Sequence, residues 1–134
     1  MNPVKNQSTK TFIIISCTFG FLAVAIGAFG AHGLKEIIGL ERMPIFETGN
    51  KYHFYHTIVS LFIIILSKQI GFNQYLKFSF CAMIIGIFLF SFSLYALAIT
   101  GIKILGAITP LGGLSFLIGW LLLGIGANQS RSEP

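Results

Sequence analysis

TFIIISCTFGFLAVAIGAFGA, residues 11–31, runs for about twenty residues without a charged side chain, the length that crosses a hydrocarbon core of about 30 Å at about 1.5 Å per residue. Whether this run is a cleaved leader or a first spanning helix decides the fold. Lys5 and Lys10 precede it and small residues gather near Ala28 and Gly30, as at a leader cleavage site. The run is nevertheless longer than the roughly 7–15 apolar residues of a typical leader. It reads as an uncleaved first span.

The remaining chain repeats the pattern, with apolar runs separated by short polar stretches. Four spans are expected over roughly 11–31, 48–68, 78–100 and 106–127, in a single transmembrane domain covering residues 1–134. The fold class is all-α, an integral membrane four-helix bundle. Between helices 1 and 2, Leu34, Ile37 and Ile38 alternate with Lys35 and Glu36, the pattern of a short segment lying in the interface. Pro44 suits the first turn of helix 2. Thr109-Pro110 reads as a cap and first position, so helix 4 is expected to start there, with residues 101–108 extended or re-entrant; the alternative is a helix that starts near Ile102 and kinks at Pro110.

Composition supports this class. Hydrophobic residues make up 54% of the 134 and charged residues 10%, with mean hydropathy +0.83; a soluble globule carries about 25% charged residues. The net charge of +5 is spread singly at the ends of apolar runs, where it meets lipid headgroups, and forms no patch for nucleic acid. Lys5, Lys10, Lys68, Lys77 and Arg131 fall on the side of the termini, against Lys35, Arg42, Lys51 and Lys103 opposite, which favours cytoplasmic termini. Cys17 and Cys81 lie inside apolar runs without ligand spacing and read as buried thiols. No metal site is expected.

In lipid, small residues at helical spacing mark helix contacts. Helix 1 offers Ser16, Gly20, Ala23, Gly27 and Gly30; helix 3 offers Ser79, Ala82, Gly86 and Ser93; helix 4 offers Gly112, Ser115, Gly119 and Gly126. Helix 2 differs. Its stripe is His53, His56, Ser60 and Ser67, polar atoms sharing one face, which should look into the bundle.

An up-down topology places His32, His56, Tyr95 and Thr109 in one half of the membrane, with Tyr52 at the boundary beside them. These five are the candidate ligand-binding residues. His56 leads because intramembrane ionisable groups are costly unless used. His53 and His32 read as interfacial, and Tyr95 as a hydroxyl donor between helices. Two imidazoles on different helices suit haem iron, and one suits a quinone. No Asp, Glu, Lys or Arg lies deep in a span for ion-coupled transport, and no hydrolase motif is present.

Four stretches carry a resemblance: GAFGAHGL at 27–34, ETGxxYxxxH at 47–56, FSxSLYALAITG at 90–101 and ITPLGGLSFLIGW at 108–120. With them the chain resembles the small four-helix bacterial membrane proteins of the YgdD and YwdK type. The resemblance implies a multi-pass protein of the bacterial inner (plasma) membrane and brings no reaction or cofactor with it. His32, Gly49, Tyr52, His56, Tyr95, Thr109 and Pro110 fall on the family pattern, whereas His53 does not. The expectation is a non-enzymatic accessory or scaffold bundle binding membrane lipid, a hydrophobic ligand, a membrane-protein partner or a second copy. The alternatives are a haem- or quinone-binding redox protein and a small-solute channel or transporter.

Overall fold

The computed structural model describes residues 3–129, with side chains from Ser8 onward; Arg131 and the side chain of Lys5, both counted above for orientation, lie outside the described residues. Four helical rods are long and apolar enough to cross a bilayer: Ser8–Ile38, Met43–Ile70, Gln74–Thr100 and Lys103–Gln129. These are spans one to four. At 27–31 residues each they exceed a hydrocarbon core of about 30 Å, so their ends reach the headgroup zone.

The interfacial segment takes an economical form. A π turn, Gly30–Leu34, carries span one directly into the short helix Lys35–Ile38, which stops where Gly39 adopts φ 75°. Only residues 39–42 separate spans one and two. Leu34 and Ile38 turn inward against Met43, Phe46, Tyr95 and Ala98, while Ile37 stays exposed. Pro44 sits in the first turn of span two, where its missing N–H costs nothing.

Span three is interrupted by a second π turn, Ile87–Phe92, and ends at Gly101 in the left-handed conformation. Its last carbonyls have no partners within the helix. Arg42 supplies one from the connector before span two, donating through Nη1 to the Ala98 carbonyl at 3.1 Å and the Ile99 carbonyl at 3.4 Å. A cation here also faces the negative end of the helix dipole. Span four opens as a 3-10 turn, Lys103–Ala107, and becomes α-helical at Thr109. The expected boundary beside Pro110 is therefore present. Residues 103–107 coil rather than extend, since backbone bonds from Leu105 to Ile102 and from Ile108 to Leu105 carry the chain into the helix.

The small-residue stripes become close approaches. Where spans one and two meet, a Cβ on Gly30 would run into the Phe46 ring and one on Gly27 would lie 2.7 Å from Asn50 Oδ1. Gly20 is looser, with only Thr57 Cγ2 at 3.6 Å. Between spans three and four, Gly86 accommodates the Phe116 ring and Gly112 lies against the backbone of Leu89 and Phe90. Across the same seam Ser79 donates to the Gly119 carbonyl at 2.7 Å and Ser115 to the Ala82 carbonyl at 2.8 Å. Gly119 itself meets Met83 Cε at 3.0 Å, a flexible neighbour. Cys81 is half-buried, but Cys17 is exposed rather than buried: it follows Ser16, which takes the inward position.

Asn73 joins two helix ends. Its Oδ1 accepts from the Leu76 N–H at 3.0 Å and its Nδ2 donates to the Gly126 carbonyl at 2.8 Å. Asn73→Ala should cost about 0.5–2 kcal/mol of stability, the usual range for a lost helix cap. Asn73→Ser keeps a capping oxygen and gives up the bond to Gly126, so it should cost less. Detergent-unfolding midpoints in the order wild type, Ser, Ala would bear this out; equal midpoints for the two variants would refute it.

Candidate functional site

The polar stripe of span two is buried as its spacing predicts: His53, His56, Ser60 and Ser67 all lie inside. The structure then divides it. Residues 53 and 56 lie about 60° apart around a helix, and that is enough to aim them at different neighbours.

His53 turns toward spans one and three and is 0% exposed. This corrects the expectation that it is interfacial. Span two begins at Met43, so ten residues of helix, about 15 Å, precede His53 and carry it into the bundle. The Tyr95 hydroxyl lies 3.1 Å from its Nδ1. Asn50 Nδ2 donates to the same hydroxyl at 3.2 Å and to the Ala23 carbonyl at 2.8 Å. Spans two and three thus meet at this hydroxyl, and span one joins them through the Asn50 amide. Gly49 makes room for this, since a Cβ there would come within 3.2 Å of Leu94, the Ser91 carbonyl and the Tyr95 ring. Among the described residues His53 Nε2 makes no hydrogen bond of good geometry, with the Phe19 backbone its nearest polar neighbour; the aromatic rings of Phe19 and Phe92 flank the imidazole at 5.7 and 5.5 Å.

His56 turns the other way, toward span four. Its ring stacks on Phe116 with centroids 3.5 Å apart and planes inclined by 12°. Nδ1 lies 2.8 Å from the Tyr52 carbonyl. A carbonyl only accepts, so Nδ1 carries the proton and the lone pair of the neutral ring resides on Nε2. Beside this ring runs a groove of about 510 Å³, walled by Tyr52 and His56 on one side and Pro110, Phe116 and Trp120 on the other, with Phe90 between. Spans two and four make few direct contacts. Span three floors the gap and leaves it open to the membrane side.

The expected cluster of five therefore separates. Tyr52 and His56 share the groove. Tyr95 belongs to the buried cluster on the far side of span two. Thr109 exchanges a hydrogen bond with Ser93 at 2.9 Å and ties spans three and four. His32 is exposed, with Nδ1 3.1 Å from the Ala28 carbonyl of its own helix: the π turn buries Gly30 and Leu34, which turns His32 outward. With His32 outside and both remaining imidazoles on one helix facing different neighbours, no pair of histidines brackets a haem. Among the described residues no three His, Cys, Asp or Glu side chains converge. Sequence reasoning passed over Asn50, Phe90 and Phe116. Asn50 was within reach, since it precedes His53 by three and so extends the inward stripe.

The comparisons with known proteins agree with this architecture. The pattern of a family described as "Protein of unknown function (DUF423)" matches residues 26–113. The chain is 42% identical over 118 residues to the UPF0382 membrane protein YwdK of Bacillus subtilis, covering 88% of this chain and 96% of that one. It is 37% identical over 128 residues to the UPF0382 inner membrane protein YgdD of Escherichia coli, covering 95% and 96%. A UPF0382 membrane protein of Haemophilus influenzae is 39% identical over 121 residues, covering 90% and 96%. No solved structure matches. The four spans, the glycine seams between them and these relatives together show that the chain belongs to the DUF423/UPF0382 family of membrane proteins.

Proposed function

We propose that this chain is a non-enzymatic binding bundle of the bacterial inner membrane, and that the groove beside His56 holds a lipid-soluble ligand bearing a hydroxyl. The Nε2 lone pair of His56 carries this reading. The Tyr52 carbonyl fixes the tautomer, so the ring offers an acceptor at the edge of an aromatic-lined space open to lipid. Its volume of about 510 Å³ lies within the usual range of small-ligand sites, about 300–1,000 Å³. Tyr52, Phe90, Phe116 and Trp120 supply flat apolar surface for a ring or an unsaturated chain. Beside His56 and Tyr52 the groove lining holds no Ser, Cys, Lys or carboxylate side chain, which supports binding over catalysis. A relative named as an inner membrane protein supports the location, and the excess of Lys and Arg on the side of the termini supports their cytoplasmic placement.

The redox alternative narrows to a quinol. An acceptor nitrogen matches the hydroxyl of a reduced quinone and not the carbonyl of the oxidised form. Native mass spectrometry from mild detergent tests both. Wild-type protein should retain a lipid or small molecule whose mass identifies it, and His56→Phe, which preserves the stack on Phe116, should lower its occupancy about fivefold, the factor of one hydrogen bond of about 1 kcal/mol. Equal occupancy in the two proteins would remove the groove from consideration.

A further inference from the structure

A second cavity, of about 340 Å³, opens between spans one and two near their connected ends. Met43, Phe46 and Ala31 form its apolar part, and Glu47, Asn50 and Lys51 its polar part. Its depth in the membrane follows from the sequence. Glu47 lies one turn from the start of span two at Met43, near the membrane boundary, and Asn50 and Lys51 lie one turn deeper, from where the lysine stem reaches back toward it.

Their chemistry is specific. Glu47 and Lys51 are exposed and one helical turn apart, so both can turn to the same bound group. Asn50 spends both Nδ2 hydrogens on Ala23 and Tyr95. Its orientation is thereby fixed, and Oδ1 is left on the cavity side against Gly27. The cavity thus presents one cation and two acceptors, one of them a carboxylate, above apolar side chains. That is the complement of a headgroup pairing a phosphate with a protonated primary amine.

We infer that this cavity is a headgroup site for a zwitterionic phospholipid with a primary amine, independent of the groove beside His56. The phosphate meets Lys51; the ammonium donates to Glu47 and to Asn50 Oδ1; the acyl chains stay in the bilayer. A choline headgroup carries the same charges but has no N–H to donate, so the two acceptors discriminate against it.

The test uses the full chain in nanodiscs of phosphatidylethanolamine and phosphatidylcholine with identical acyl chains, released into native mass spectrometry. Wild type should retain the ethanolamine lipid about tenfold over the choline lipid, the factor expected of one charge-assisted hydrogen bond. Glu47→Gln should weaken the preference severalfold, because a neutral acceptor replaces the carboxylate while Asn50 Oδ1 remains, and Lys51→Gln should lower retention of both lipids alike. His56→Phe should leave the preference intact, which separates this site from the groove. Soluble phosphoethanolamine at the lipid's concentration should not displace it. Equal retention of the two lipids by wild type, a preference undiminished by Glu47→Gln, tighter retention of phosphatidylglycerol, or displacement by the soluble headgroup would each overturn the assignment.

Discussion

Gly112→Ala is expected to unfold the bundle at markedly lower denaturant than wild type. A Cβ at this position would come within 2.7 Å of the Leu89 carbonyl carbon and the Phe90 Cα, and closer still to the Phe90 nitrogen. These are backbone atoms of the π turn in span three, so no rotamer relieves the contact. Spans three and four must separate, lengthening the 2.7–2.9 Å bonds at Ser79, Ser115 and Ser93. Overpacking of this kind costs about 1–3 kcal/mol where side chains can yield, and rigid backbone places Gly112→Ala at the upper end, about 3 kcal/mol. Gly124→Ala is the control: nothing lies within 4 Å of its Cβ, and alanine is the better helix former by about 0.5–1 kcal/mol. Helicity followed by circular dichroism during SDS titration should move in opposite directions for the two. A wild-type midpoint for Gly112→Ala would dismiss the close seam.

The second large effect is expected at Tyr95. Removing its hydroxyl by Tyr95→Phe strands His53 Nδ1 and takes from Asn50 Nδ2 one of its two acceptors, Ala23 remaining, and leaving buried polar groups unpaired costs about 1–3 kcal/mol. His53→Phe should cost less, because Asn50 keeps its bond to the hydroxyl. The double variant should be more stable than the sum of the two losses predicts. Coupling between such groups in membrane bundles averages about 0.6 kcal/mol and reaches about 1.7; this pair should lie toward the upper figure because both members are buried. Additive losses would mean that the contact carries no energy.

The seams were legible because membrane packing rewards one property, small size, at one spacing. Gly86, Gly112, Ser79 and Ser115 could be picked out by composition and period, and each lies at a contact. Gly20 shows the limit of that logic, since its spacing matches its neighbours while Thr57 stays 3.6 Å away. The candidate site was half legible. His56 and Tyr52 came from the polar stripe and do share the groove. His32 was grouped with them on topology alone, which fixes a residue's depth but not the direction in which it points. His53 was misplaced because an apolar run marks where lipid begins, not where the helix begins, and here the helix starts nine residues before Tyr52.

By itself the sequence determined the number of spans, their up-down order and the small-residue faces on which they meet, because the bilayer imposes length and apolarity on every span and packing without water favours small residues. Only the tertiary structure decided which way each polar side chain turns: His53 to Tyr95, His56 to Phe116, Arg42 to the carbonyls ending span three. Those directions depend on helix rotation and on the two π turns, and both are set by how neighbouring helices fit together, which no periodicity within a single helix encodes.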